Sequence, residues 1–388
     1  MIRLKTIITC PVEVCLRLIG IWPYSSYRIM QRIFWTIIMG NSTIFQLWYC
    51  ISYFKTADLL DLLDGITLTL SNTVTFFKLI ILWFNYRTIH NILTIVFEDW
   101  NNRALTDKKK QLMVDNTRLS SRISNFLFGI YSVTCILYSA SIALISDDID
   151  NTNNELILNN KKLLLKMKLP FDFTIFPLYE FVIVAQFVFE CFVALTAGML
   201  MAFSAALVLH IGSQIDITCQ ELIEIPRYYR GETSYMLKNI IVKHQRILRL
   251  SENVKHLFLY TSLIQFLSNI LVICFLGFIL VNALGTEQGS TIFIKCFPYY
   301  IAANCEAFIL CYTGEYLMFK NESIVHAAYD MLWYNLNPRD SRIVLLILIQ
   351  AQRKLILSAG NFVTLSVQTF ASMQKVSASY ISILMTIY

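Results

Sequence analysis

The run FTIFPLYEFVIVAQFVFECFVALTAGMLMAFSAALVLHI, from Phe173 to Ile211, decides what kind of chain this is. It holds 39 residues and only two carboxylates, Glu180 and Glu190. A helix crossing the hydrocarbon core of a bilayer needs roughly 20 mostly apolar residues, so this run can cross and still project beyond the membrane. It is continuously apolar rather than alternating, which argues against a barrel strand. Five further runs of spanning length lie around it: Ile33–Phe54, Gly65–Phe84 and Ile123–Ile145 before it, Leu257–Leu284 and Thr291–Phe319 after it. A seventh, Arg342–Tyr388, is broken by Gln350, Gln352, Arg353 and Lys354, then by Ser358-Ala359-Gly360-Asn361. The expected fold class is an all-α integral membrane protein with seven transmembrane helices.

Composition agrees. Of 388 residues, 56% are hydrophobic and 15% charged, with a mean hydropathy of +0.57. A soluble domain carries about a quarter charged residues, and a disordered chain is poor in large aliphatics. Ten scattered cysteines do not make a disulfide scaffold, and a net charge of +6 is too small for a nucleic-acid binder. The five histidines show no metal-ligand spacing. No Cys-x-x-Cys, phosphate-cradling glycine loop or Gly-x-Ser-x-Gly occurs either, so no enzyme, metal site or cofactor is expected. Arg3 and Lys5 could open a signal peptide, but Pro11, Glu13 and Arg17 cut the apolar stretch behind them, and no cleavage is expected.

The basic residues set the orientation. With the N-terminus in the cytoplasm, 24 lysines and arginines fall inside and five outside: Lys55, Lys161, Lys162, Lys166 and Lys168. That bias puts the N-terminus inside and, after seven crossings, the C-terminus outside. The outer loops are short except Ser146–Pro170, whose polar part Ser146–Asn154 is expected to be mobile. A ligand is therefore expected to be met among the helices rather than by an external domain. On the inner side, Met236, Leu237, Ile240, Ile241, Ile247, Leu248 and Leu250 recur at helical spacing within Glu232–Lys255. This predicts an amphipathic cytoplasmic extension of segment 5 and, with the first half of segment 7, a helical anchor below the membrane.

The C-terminal quarter adds a second kind of information. Gly314-Glu315-Tyr316-Leu317, Ala327-Ala328-Tyr329, Trp333-Tyr334, Gln352-Arg353-Lys354, Ser358-Ala359-Gly360, Thr369-Phe370-Ala371-Ser372 and Ser379-Tyr380 come one after another in order. Together they resemble the block shared across the insect odorant receptor family, without a gap from Gly314 to Tyr388. Leu18-Ile19-Gly20-Ile21-Trp22-Pro23, and Leu169-Pro170 with Tyr179 and Gln186, fit the same family. The chain is more similar to its divergent, ligand-tuning members than to their obligate coreceptor, whose long second inner loop it lacks.

The resemblance implies a subunit of an odorant-gated, non-selective cation channel, a heterotetramer with the odorant receptor coreceptor. Its setting would be the plasma membrane of olfactory sensory neurons. It implies four regions: a cytoplasmic arm (1–32), segments 1–6 with the ligand pocket (33–319), a cytoplasmic anchor including the first half of segment 7 (320–360), and a pore-lining second half (361–388). Small volatile or hydrocarbon ligands are expected between segments 2, 3, 4 and 6. Candidate pocket residues on stripes of those segments are Leu70, Thr73 and Phe77; Cys135, Tyr138 and Ile142; Phe181, Ala185 and Phe189; and Tyr299, Tyr300 and Ala303. Aromatic and apolar walls with a few hydroxyls suit such molecules, although bundle packing alone makes similar stripes. Ile383 and Ile387 match the family's hydrophobic gate and Thr386 a polar pore-lining position; isoleucine rings can close a narrow pore by excluding water. Ser366, Thr369, Ser372, Ser377, Ser379 and Ser382 add hydroxyls to the same helix, while Lys375 departs from the pattern and is expected to turn towards the inner surface. Asp58, Asp61 and Asp64 share one face near the outer mouth, either as a solvated helix start or as a lure for permeant cations. Glu190 and Glu306 are expected to lie deeper, with Lys78 or Lys295 as partners. A gustatory receptor channel and a G-protein-coupled receptor are the alternatives; a transporter would need internal repeats that are not apparent.

Overall fold

The computed structural model describes residues 8–22, 27–56, 58–102, 106–150, 163–172, 177–225, 230–284 and 289–387; the side chains of 142–150 and 230–232 are left aside. The helices are α1 (Cys10–Leu18), α2 (Arg28–Tyr53), α3 (Leu59–Phe84), α4 (Tyr86–Asn101), α5 (Asp107–Asp150), α6 (Leu178–Glu224), α7 (Arg230–Ala283), α8 (Gly289–Asp330), α9 (Pro338–Ala351) and α10 (Val367–Ile387). A 3-10 turn (Trp333–Asn335) and two short strands, β1 (Ser358–Ala359) and β2 (Val363–Thr364), complete the described chain. Among the described residues, five helices (α3, α5, α6, α7 and α8) are long and apolar enough to cross a membrane. The long apolar run Phe173–Ile211 begins its helix at Leu178, beyond residues 173–176, which lie outside the described set. At 47 residues α6 is about 70 Å long at 1.5 Å per residue, twice the hydrocarbon thickness. Its lower half packs among α4, α5, α7 and α8 at the end of the bundle where lysines and arginines gather.

That basic end is built from paired charges. Lys109 and Lys243 both reach Glu221 Oε1, at 3.3 and 2.5 Å, Lys320 meets Asp216 at 2.7 Å, and Arg246 spans Glu98 and Asp99 at 2.9 and 3.0 Å. The predicted extension of segment 5 is continuous with α7, whose Leu237, Ile240, Ile247 and Leu250 are buried.

The N-terminal Leu18–Trp22 stretch has a structural role of its own. Pro11 in the first turn and Glu13–Arg17, paired at 2.6 Å one turn apart, favour α1. Gly20 takes φ +70°, a left-handed conformation open to glycine, and ends it. The freed carbonyls find side-chain donors: Trp35 Nε1 on Leu18 O at 3.0 Å, Trp83 Nε1 on Ile19 O at 2.9 Å, and Arg32 on Gly20 O at 3.0 and 3.1 Å. Ile19 and Ile21 are fully buried, so this short arm is stitched into α2 and α3.

The break foreseen in segment 7 is a hairpin. Gly360 (φ +59°) and Asn361 (φ +61°) are both left-handed, as a type I′ turn requires, with Phe362 N donating to Ala359 O at 3.1 Å. Ser358 pairs with Thr364 and Ala359 with Val363, antiparallel. Gly360 N also donates to Leu259 O of α7 at 3.2 Å, which docks the hairpin on the bundle.

The family block then acquires physical reasons. A Cβ on Gly314 of α8 would lie 2.6 Å from Leu365 Cβ and against that residue's carbonyl, so only glycine admits the chain entering α10. Next to it, Glu315 Oε2 accepts the Val367 amide at 2.6 Å, and Ser366 Oγ accepts the Thr369 amide at 3.2 Å. Together they satisfy donors at the start of α10. Asn321 donates to Ala351 O and Arg353 O, both at 3.0 Å, and so holds the end of α9.

Candidate functional site

The candidate site is a cavity of about 70 Å³ lying between α3, α5, α6, α7 and α8. Its walls are chiefly aliphatic and aromatic: Leu68 and Val74 of α3, Tyr131, Cys135 and Tyr138 of α5, Val193, Ala194 and Ala197 of α6, Val272 of α7, and Tyr299, Ala302 and Ala303 of α8. The helices are held apart by specific contacts. Gly198 lets the Tyr131 ring lie on α6, where a Cβ would come within 2.6 Å of the ring. Tyr131 then donates to Glu306 Oε2 at 2.8 Å while Lys78 Nζ reaches Glu306 Oε1 at 3.2 Å, so one buried network ties α3, α5 and α8. On the far wall the hydroxyls of Ser71 and Tyr299 pair, joining α3 to α8.

At the end of the bundle opposite the basic one, the segment 163–170 folds back onto the helices. Leu164 and Leu165 are buried against Leu68 and Tyr138, and the Leu165 amide donates to Gln186 Oε1 at 3.1 Å. Lys166 bridges Asp61 and Asp64 at 2.8 and 3.1 Å, and Lys295 joins Asp64 at 2.6 Å. Burial alone would lower the Lys166 pKa, but the Asp64 and Asp61 carboxylates outweigh it and hold the ammonium above its ordinary value. Of the aspartate trio, Asp58 and Asp61 are exposed and Asp64 is buried in this network. The polar stretch expected to be mobile divides here: α5 stays helical to Asp150, and residues 151–162 lie outside the described set.

The pocket candidates are distributed unevenly. Cys135, Tyr138, Tyr299 and Ala303 line the cavity. Leu70 and Tyr300 instead pack in a neighbouring core with Ile273 and Phe278, and Thr73 turns its hydroxyl to Thr69 O at 2.6 Å. Phe189 packs beside Tyr138 without joining the wall, Phe77 and Phe181 are exposed at 47% and 72%, and Ala185 is exposed. Ile142 lies within α5, its side chain beyond the described ones. Sequence reasoning missed the α7 wall (Gln265, Ser268, Asn269 and Val272) and, on α3, the face carrying Ser71, Asn72 and Thr75. The polar spacing Gln265-x-x-Ser268-Asn269 inside an apolar span was the available signal for α7.

α10 packs on the bundle through Phe370, Met373, Ser377 and Leu384, and Ile381 fits over Gly277. Its other face carries Ile383, Thr386 and Ile387, exposed on this single chain, together with Ser372, Ser379, Ser382 and Lys375. The hydroxyls of Ser372, Ser379 and Thr386 donate to carbonyls one turn back at 2.9–3.0 Å. Among the described residues no cluster of three His, Cys, Asp or Glu is placed to hold a metal.

Long apolar helices around an internal cavity define a polytopic helical membrane protein. A family model described as 7tm Odorant receptor matches residues 58–378, most of the chain, and the protein belongs to that insect odorant receptor family. Putative odorant receptor 92a of Drosophila melanogaster is 30% identical over 152 residues, 39% of this chain and 36% of that protein. Odorant receptor 67a of the same fly is 27% identical over 196 residues, 50% of this chain and 47% of that protein. The matches thus span less than half the length of these curated relatives. The insect olfactory receptor OR5 from Machilis hrabei, solved in complex with eugenol, superposes with a TM-score of 0.77 over 97% of both chains at 16% identity. A second structure of that receptor gives 0.79. At that identity the likeness is one of fold.

Proposed function

We propose that this protein is the ligand-tuning subunit of an odorant-gated, non-selective cation channel, assembled as a heterotetramer with the odorant receptor coreceptor. Small volatile or apolar molecules enter the chamber between α3, α5, α6, α7 and α8. The observation that carries this reading is the chamber itself, about 70 Å³ and mostly apolar, set among the spanning helices of a family member. The Machilis receptor of the same fold, solved with eugenol, supports a small ligand. In this reading α2 and α10 complete seven crossings, the N-terminus is cytoplasmic, α4, α9 and the lower ends of α5–α8 form the anchor, and α10 walls the pore. The regions are the arm 1–32, the bundle 33–319, the anchor 320–360 and the pore segment 361–388. Its site is the plasma membrane of olfactory sensory neurons.

The test is a panel of volatiles applied to cells expressing the chain with and without the coreceptor, read as cation current. Ala303→Trp, which places an indole in the chamber, is expected to raise the half-maximal concentration of every agonist by about tenfold or more while the sodium-to-potassium permeability ratio stays constant. A changed ratio with unchanged potency would relocate the ligand to the conduction path. Ile383→Ala, which trims the exposed face of α10, is expected to raise ligand-free current about two- to tenfold, because a wider apolar ring stays wet. Unaltered leak at normal surface expression would remove Ile383 from the gate.

A further inference from the structure

Two carboxylates line the chamber, and they are treated differently. Glu306 is neutralised by Lys78 and by the Tyr131 hydroxyl, at 3.2 and 2.8 Å. Glu190, on the α6 wall, has no cation against it among the described residues, and its buried Oε2 has no hydrogen-bond partner. The Asn72 side chain, whose amide also donates to Gln46 Oε1 at 3.3 Å, hydrogen-bonds to the carboxylate and leaves Oε2 without a donor. The Tyr138 hydroxyl, on the adjoining wall of the same chamber, is likewise buried and without a partner among the described residues. A carboxylate oxygen held away from water with no donor and no cation beside it is costly, and the cost is recovered when a donor, above all a cationic one, arrives. The rest of the wall offers aliphatic surface for a hydrocarbon tail and the Tyr299 ring for an ammonium head, the Tyr138 ring already carrying the Lys295 ammonium at 4.8 Å.

We infer that the chamber selects small aliphatic amines, whose ammonium head meets Glu190 Oε2 with the Tyr138 hydroxyl beside it while the tail fills the apolar walls. This rests on the chamber being the ligand site, and it adds the chemical class of the ligand. An alcohol of the same length offers a single neutral donor and binds more weakly, and the matching alkane has no donor at all.

The experiment measures binding of n-hexylamine, n-hexanol and hexane to the purified full-length protein in lipid nanodiscs, by the shift of its thermal transition with ligand concentration. In the native protein, n-hexylamine is expected to bind at least about tenfold tighter than n-hexanol, the size of one charge-assisted hydrogen bond, with hexane weakest. Glu190→Gln keeps the shape of the side chain and removes its charge; the ratio of amine to alcohol affinity should fall to about one. Equal affinities in the native protein, or a Glu190→Gln variant that weakens all three probes alike, would overturn the inference. The native ranking decides the matter by itself if the variant does not accumulate. Ala303→Trp separates this failure from failure of the chamber reading: weakened binding of all three probes places them in the chamber, whereas unchanged binding of all three would overturn the chamber and the amine preference together.

Discussion

Lys78→Met is expected to destabilise the protein by about 3–5 kcal/mol, read as loss of folded, monodisperse protein in detergent on heating. Lys78 and Glu306 are both buried, and removing the ammonium leaves Glu306 with Tyr131 alone inside a low-dielectric bundle. Methionine keeps the length and apolar stem of lysine, so packing changes little and the effect isolates the charge. Adding Glu306→Gln should restore most of the loss, because a neutral amide needs no counter-ion and still accepts from Tyr131. If the single variant melts like the native protein, the Lys78–Glu306 ion pair does not stabilise the fold, and the network is held by its hydrogen bonds alone.

Gly314→Ala is the second large effect. The new methyl would meet the Leu365 backbone and lie 2.6 Å from its Cβ, and a main chain that is itself entering a helix cannot swing aside. Either α8 or the hairpin must retreat, at a cost of about 1–3 kcal/mol and with the start of α10 displaced. Agonist-evoked current should fall by at least about tenfold at equal surface expression. Gly129→Ala supplies the opposite sign. Nothing lies within 4 Å of a Cβ there, so alanine should stabilise α5 by up to about 1 kcal/mol through helix propensity. Equal behaviour of the two variants would mean that the α8–hairpin contact does not constrain α10.

The contrast between these sites shows what a membrane sequence conceals. The lengths and order of the apolar runs, the extension of α7 and the break before α10 were readable, because hydrophobic length and interrupting polar groups report directly on where a chain crosses and stops. Which face of a helix looks inward was not. In water an inward face is apolar and an outward one polar, but in lipid both are apolar and the periodic signal fades. α6 is the extreme case: Phe181 and Ala185 look outward and Val193, Ala194 and Ala197 inward, all within one apolar run. The α3 stripe Leu70, Thr73 and Phe77 was drawn about one residue away from Ser71 and Val74, which line the chamber. Cys135 and Tyr138 of the α5 stripe, and Tyr299 and Ala303 of α8, do line the chamber. Charge partners were half legible. Glu306 takes Lys78, while Lys295 turns to Asp64 and leaves Glu190 without a cation among the described residues.

One rod serves two distant places. Tyr299, Ala303 and Glu306 stand on α8, and about 13 Å further along the same uninterrupted helix Glu315 grips the first amide of α10. A helix is stiff along its axis, so under the proposed function a guest that nudges the upper turns is expected to tug on that grip directly, with no jointed linkage between. Under the proposed function, sensitivity and taste are then expected to be separable traits: altering the carboxylate handle should reset how hard a guest must push, and altering the upper turns which guest is welcome.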